Sequence, residues 1–225
     1  MNNHDHFIKY LINLDSLGLT INNYPIITIF WNLFLLVVPF FLCRKIYSLW
    51  LANKFKNTKE IILAFILFFI WLLFIPNTAY IITDVRHIAG ACPLNENRIC
   101  IENAWMVLFF FSYSIAGWLS YVFLLNQMKA VIENIWGKSG KIIFLVSLPP
   151  LTALGVLLGL VNRWNSWDIF LYPGEVITGT LAYFTDWTYL KNLLLYSFFL
   201  YFLYFIGNYF FKNLHDGLFK DRESD

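Results

Sequence analysis

The chain has 225 residues, of which 59% are hydrophobic, 20% aromatic and only 13% charged, with a mean hydropathy of +0.61. A soluble domain of this size needs more polar surface, so the composition excludes one and indicates an integral membrane protein. The net charge of +2 and the lack of a basic aromatic strip exclude the common nucleic-acid binders, and no nucleic-acid partner is expected.

Residues 1–23 read as an extracytoplasmic arm. Its stretch from Phe7 to Ile21 is apolar in patches but broken by Lys9, Asn13 and Asp15, which suits an interfacial helix or an irregular arm, with a sixth crossing as the alternative. Apolar runs of the ~20 residues needed to cross ~30 Å of hydrocarbon follow. They predict spans at about 24–43, 61–80, 105–125, 142–161 and 193–211, then a tail over 212–225. The first run has no basic leader before it and no small-residue cleavage site after it, so it reads as a retained span. The predicted fold is all-α: one integral membrane domain of about five transmembrane helices.

The cations set the orientation. Arg44, Lys45, Lys54, Lys56 and Lys59 follow the first span, Lys129, Lys138 and Lys141 follow the third, and Lys212, Lys220 and Arg222 lie in the tail. These regions alternate to one side, which the positive-inside rule makes cytoplasmic. The N-terminus is then outside and the C-terminus cytoplasmic, in a multi-pass protein of the cell membrane.

Two polar clusters interrupt this apolar chain, and the orientation puts both at the extracytoplasmic headgroup boundary. The first runs from Pro76 to His87. Pro76 removes a helical hydrogen bond and either kinks the second span or opens a new turn. If the chain stays α-helical, Asn77, Tyr80, Asp84 and His87 fall at i, i+3, i+7 and i+10 on one stripe, while Arg86 points elsewhere. Asp84 and His87, one turn apart, could share a proton or a divalent metal ion. The second cluster is Arg163-Trp164-Asn165-Ser166-Trp167-Asp168. Arg163 offers a planar fork for a carboxylate or phosphate, Asp168 a complementary acceptor, and Trp164 and Trp167 a stacking surface if the run is helical. Asn77, Tyr80, Arg163, Trp164, Asn165 and Trp167 are therefore candidate binding residues, and Asp84, His87 and Asp168 candidate acid-base groups. The structural alternative is an aromatic belt with an internal ion pair from Arg163 to Asp168 or Asp84.

Between the second and third spans lie Cys92 and Cys100. On an oxidising face they either close a disulfide, worth about 2.5–3 kcal/mol by loop entropy, or remain two free thiols. Cys43 reads as a buried, inert thiol. Gly155 and Gly159, and Ser112, Ala116 and Ser120, form small-residue ridges that permit close helix approach. Pro149 and Pro150 predict a fixed bend. The apolar stretch Val176 to Phe184 is too short to cross and could dip back over the site.

The run Trp71 to Asn77 continuing through Tyr80 and Thr83-Asp84 to His87, with Arg163 to Asp168, resembles an uncharacterised bacterial multi-pass membrane family, domain of unknown function 1361. The resemblance covers most of the chain and implies no activity, cofactor or partner. From the residues alone, three classes remain. One is an outer-leaflet protein that binds or processes a lipid-linked or envelope substrate, with membrane lipid or a lipid-linked carrier as partner. Another is a non-catalytic scaffold, a partner subunit or homo-oligomer, whose clusters hold helices together. A small transporter fits less well, because no Asp, Glu, His, Lys or Arg lies between Ile61 and Thr83 or between Trp105 and Gln127.

Overall fold

The computed structural model describes residues 20–21, 24–53, 55, 57–88 and 104–220. A two-residue antiparallel pairing of β1 (Thr20–Ile21) with β2 (Tyr24–Pro25) opens it. The regular elements described after it are helical: α1 (Ile26–Asn53), α2 (Thr58–Phe74), α3 (Pro76–Tyr80), a 3-10 segment (Ile81–Ile88), α4 (Ala104–Leu157), a π-turn (Leu158–Asn162), α5 (Asp168–Leu171), α6 (Pro173–Thr185) and α7 (Trp187–Lys220). The first crossing thus starts at Ile26, two residues later than the apolar run suggests, because Tyr24 and Pro25 are taken by the strand pairing. It continues as helix well beyond Cys43. Cys43 is buried, as a small hydrophobic residue would be. Cys92 and Cys100, most of the 7–21 stretch, His4 and His6 lie outside the described residues.

Among the described residues, four helices are long and apolar enough to cross a membrane: 27–52, 58–88, 104–162 and 187–211. The third of these has 59 residues and would extend about 88 Å if straight, nearly three times the thickness of the hydrocarbon. It does not run straight. Gly137 has φ 69 and ψ −164, a conformation open to glycine without Cβ strain, and breaks α4 into two arms. Lys141 Nζ lies 2.7 Å from Glu133 Oε1 across this break, whereas residues eight apart on a straight helix are separated by about 12 Å. Both arms also meet α7, through Tyr204 OH to Asn126 Oδ1 at 3.0 Å and Tyr201 OH to the Val146 carbonyl. The third and fourth predicted spans thus fall on the two arms of one helical hairpin. Pro149 and Pro150 stay inside the second arm, which is otherwise helical.

The arms of α4 fold back around α3. Gly117 on the first arm faces α3 so closely that a Cβ there would lie 2.7 Å from the Thr78 carbonyl oxygen, and a Cβ on Gly155 of the second arm would overlap the Pro76 ring. A Cβ on Gly159 would sit 3.3 Å from the Tyr80 ring. The predicted Gly155/Gly159 ridge is thus the seat of α3. On the first arm the contact is made by Gly117, one residue from the predicted Ala116, while Ser112 is exposed. Around this wedge the core closes with Trp71, Ile75, Tyr121, Leu125, Met128, Leu148 and Val156, all nearly or fully buried. Large apolar side chains such as Phe65, Leu108, Ile143 and Phe198 point outward, which suits lipid contact rather than water.

Gly155→Ala is expected to lower stability by about 1–3 kcal/mol through overpacking against Pro76. Gly174→Ala, where no atom lies within 4 Å of the new Cβ, is expected to change it by less than about 0.5 kcal/mol. Thermal unfolding of detergent-purified protein measures both.

Candidate functional site

Pro76 opens a new helical turn instead of kinking a continuous helix. α2 ends at Phe74, Ile75 stays helical, and Pro76 takes the first position of α3, where its missing N–H is not needed. Two carbonyls at this junction accept from the side chains that follow. Thr78 Oγ1 donates to Ile75 O at 2.7 Å and Asn77 Nδ2 to Phe74 O at 3.0 Å. Polar side chains thus add hydrogen bonds to the backbone carbonyls just before the proline, which suits a helix junction near the membrane boundary.

Beyond Tyr80 the chain tightens into the 3-10 segment, and this changes which residues share a face. In an α-helix residues six apart lie about 120° from alignment; at about three residues per turn they eclipse. Arg86 therefore comes round above Tyr80: its Nη2 donates to Tyr80 OH at 3.3 Å, and its guanidinium carbon stands 5.9 Å from the Tyr80 ring centroid. The α-helical expectation that Arg86 points elsewhere is corrected. Asp84 and His87, also eclipsed, come together at 3.7 Å between Asp84 Oδ1 and His87 Nε2. His87 Nε2 also accepts from Arg86 Nε at 3.4 Å, and its ring stacks on Phe110. Asp84 is 1% exposed. Its other oxygen accepts from Asn32 Nδ2 on α1 at 3.2 Å.

The second cluster is not helical throughout. The π-turn ends with Arg163 in the left-handed region at φ 62, and Trp164 N–H reaches back to Leu158 O at 3.1 Å. Left-handed backbone at a residue with a Cβ carries strain. The Arg163 side chain is exposed and forms no ion pair with Asp168 or Asp84 among the described residues. Asp168 is buried, and its Oδ2 accepts from Asn165 N–H at 2.6 Å and Asn165 Nδ2 at 3.3 Å, closing the turn that leads into α5. Because residues 163–165 are not helical, Trp164 and Trp167 do not share a face. Trp167 turns away to meet Trp31 of α1 edge-on, with centroids 5.9 Å apart.

The two clusters meet. Asn77 Nδ2 donates to Ser166 Oγ at 3.1 Å, and one cavity of about 630 Å³ is lined by Asn77, Tyr80, Asp84, Arg86 and His87 on one side and by Arg163, Trp164, Asn165 and Ser166 on the other. Six leucines, Leu35, Leu72, Leu73, Leu151, Leu154 and Leu158, add an apolar wall. Asp168 and Trp167 are outside the lining. Helix α6 covers the cavity with Val176 and Thr180, and is tied down by Tyr183 OH to Asn162 Oδ1 at 3.1 Å. A neighbouring stripe, Ile177, Leu181 and Phe184, is 57%, 56% and 60% exposed. The stretch 176–184 is thus an amphipathic cover with an apolar outer face.

Asn32 and Trp31 also line the cavity, and sequence reasoning passed over both. The signal for Asn32 was present: a lone carboxamide inside an apolar span usually faces a protein interior. Asp84 and His87 supply two metal-type donors, and among the described residues no group of three His, Cys, Asp or Glu side chains surrounds a common point.

Residues 31–206 match the model of a family described as "Protein of unknown function (DUF1361)", a stretch that includes Asn32 and both polar clusters. No curated protein and no solved structure matches the chain.

Asp84→Ala is expected to cost about 1–3 kcal/mol, because Asn32 loses its buried acceptor. Arg163→Gly is expected to leave stability unchanged or raise it by up to about 1 kcal/mol by relieving left-handed strain. Thermal unfolding in detergent separates the two, and a comparable loss for Arg163→Gly would make that arginine a structural partner.

Proposed function

The chain belongs to this family of proteins of unknown function, and from the chemistry of the cavity we propose that it binds a membrane amphiphile with an anionic, phosphate-type head. A lipid or a lipid-linked carrier at the extracytoplasmic face of the cell membrane fits this description. The observation that carries the reading is that guanidinium groups and a leucine-lined wall share one cavity. Arg86 and Arg163 bring two positive charges to it, against the one buried carboxylate of Asp84, so the lining favours an anion. Arg86 is held ready by Tyr80 and His87, which lowers the cost of ordering it around a ligand. The leucines let a hydrocarbon chain remain in apolar surroundings while the head is bound. In this reading Asp84, His87 and Asp168 are positioning residues: Asp84 and His87 support Arg86, and Asp168 shapes the 163–168 turn. The excess of cations at the opposite helix ends supports the outward orientation of the site.

The bond from Asn32 to Asp84 favours a second reading, in which the polar groups only tie α1 to the 3-10 segment. Binding measurements on the purified full chain distinguish the two. Dihexanoyl phosphatidic acid is expected to bind, inorganic phosphate and dihexanoylglycerol to bind much more weakly, and Arg86→Gln or Arg163→Gln to weaken phosphatidic acid about 10–100-fold. If phosphatidic acid does not bind, the scaffold reading stands in its place. If inorganic phosphate binds equally well, the ligand is a water-soluble anion and the amphiphile reading falls.

A further inference from the structure

An anion alone leaves part of this site unanswered. Phosphate oxygens accept hydrogen bonds, and Arg86 and Arg163 provide donors for them. The carboxamides facing the same cavity are oriented the other way. Asn77 spends both Nδ2 hydrogens inside the protein, on Phe74 O at 3.0 Å and Ser166 Oγ at 3.1 Å. Because a backbone carbonyl can only accept, the first bond fixes which end of the amide is oxygen. Asn165 Nδ2 is likewise directed at a carboxylate oxygen of Asp168, which fixes that amide too. Asn77 Oδ1 and Asn165 Oδ1 accept no hydrogen bond among the described residues, and both residues line the cavity. Two acceptors of this kind beside an anion repel its oxygens and favour a ligand that brings hydrogen-bond donors to them.

We infer that the head recognised here carries hydroxyl groups beside its anionic group, as a polyol or sugar phosphodiester does. An amine head would also supply donors, but Arg86 and Arg163 disfavour a second cation in the same cavity. Hydroxyls donate to Asn77 Oδ1 and Asn165 Oδ1 without adding charge, and Ser166 Oγ, which accepts from Asn77, keeps its own hydrogen to donate. Trp164 adds an aromatic surface in the same lining, against which the C–H face of a sugar or polyol can lie. The inference rests on the anionic amphiphile reading and specifies its head.

The test holds charge and tails constant and varies only the head: dihexanoyl phosphatidylmethanol, phosphatidylglycerol and phosphatidylinositol, each titrated into the detergent-purified full chain. Affinity is expected to rise in that order, with about a tenfold or greater gain from methanol to inositol head, the scale of one or two buried hydrogen bonds. Asn165→Ala keeps the backbone bond to Asp168. It is expected to cut that gain severalfold, read as the ratio of phosphatidylinositol to phosphatidylmethanol affinity in the folded variant, so that any loss common to both lipids cancels. Equal binding of all three lipids would overturn the hydroxyl inference and leave the anionic reading standing. A hydroxyl preference undiminished in both Asn165→Ala and Asn77→Ser would also overturn it. If none of the three binds while phosphatidic acid does, this inference falls alone; if phosphatidic acid fails too, the anionic amphiphile reading fails with it.

Discussion

Everything at the site depends on how closely the short helix α3 can press into the hairpin of α4. Pro76 lies against Gly155, the Thr78 carbonyl against Gly117 and the Tyr80 ring against Gly159, with no room for a Cβ at the first two. In lipid there is little hydrophobic gain from bringing helices together, so close backbone approach and well-matched packing must supply the cohesion. The same approach has a second effect. It brings Asn77 within hydrogen-bond distance of Ser166, joining segments that are 89 residues apart and making one cavity from two helix ends.

Tight packing alone does not aim the side chains. That depends on the shift from α to 3-10 winding after Tyr80, which stacks Arg86 over Tyr80 and His87 over Asp84. The result is a chain of contacts from Asn32 through Asp84 and His87 to Arg86. Its innermost member, Asp84, is a carboxylate almost wholly removed from solvent, a burial that the hydrogen bond from Asn32 helps to offset. On the other wall, the left-handed backbone at Arg163 stores strain where the guanidinium enters the cavity lining. Strain of this kind persists when the surroundings over-determine the conformation, and here α6 and the Asp168 turn hold the segment from both sides.

The cavity is amphipathic for a related reason. Helix α1 begins, the 3-10 segment ends and the π-turn ends at the same level, so their terminal polar groups gather at one end of the cavity. Leucines from α1, α2 and the second arm of α4 gather at the other. Helix α6 matches this split, presenting Val176 and Thr180 inward and Ile177, Leu181 and Phe184 outward. Its stretch of sequence is apolar and short, which showed that it could not cross, but which stripe faced inward required the fold.

Composition and the spacing of apolar runs determined the all-helical membrane class and the identity of both polar clusters, because the bilayer makes a nearly one-dimensional demand on length and polarity. Sequence also marked Gly155 and Gly159 as a ridge. What it could not determine was anything that depends on the angle of one helix about its axis. An α-helical stripe placed Arg86 away from the site, and a small change in residues per turn brought it in. Trp164 and Trp167 were alike on paper, and a break in the helix sent one into the cavity and the other to Trp31. Asn32 and Gly117 carry no neighbouring pattern, and their importance follows only from what packs against them. Local periodicity is written in the chain, whereas close approach between distant segments is decided by the three-dimensional fit of all of them at once.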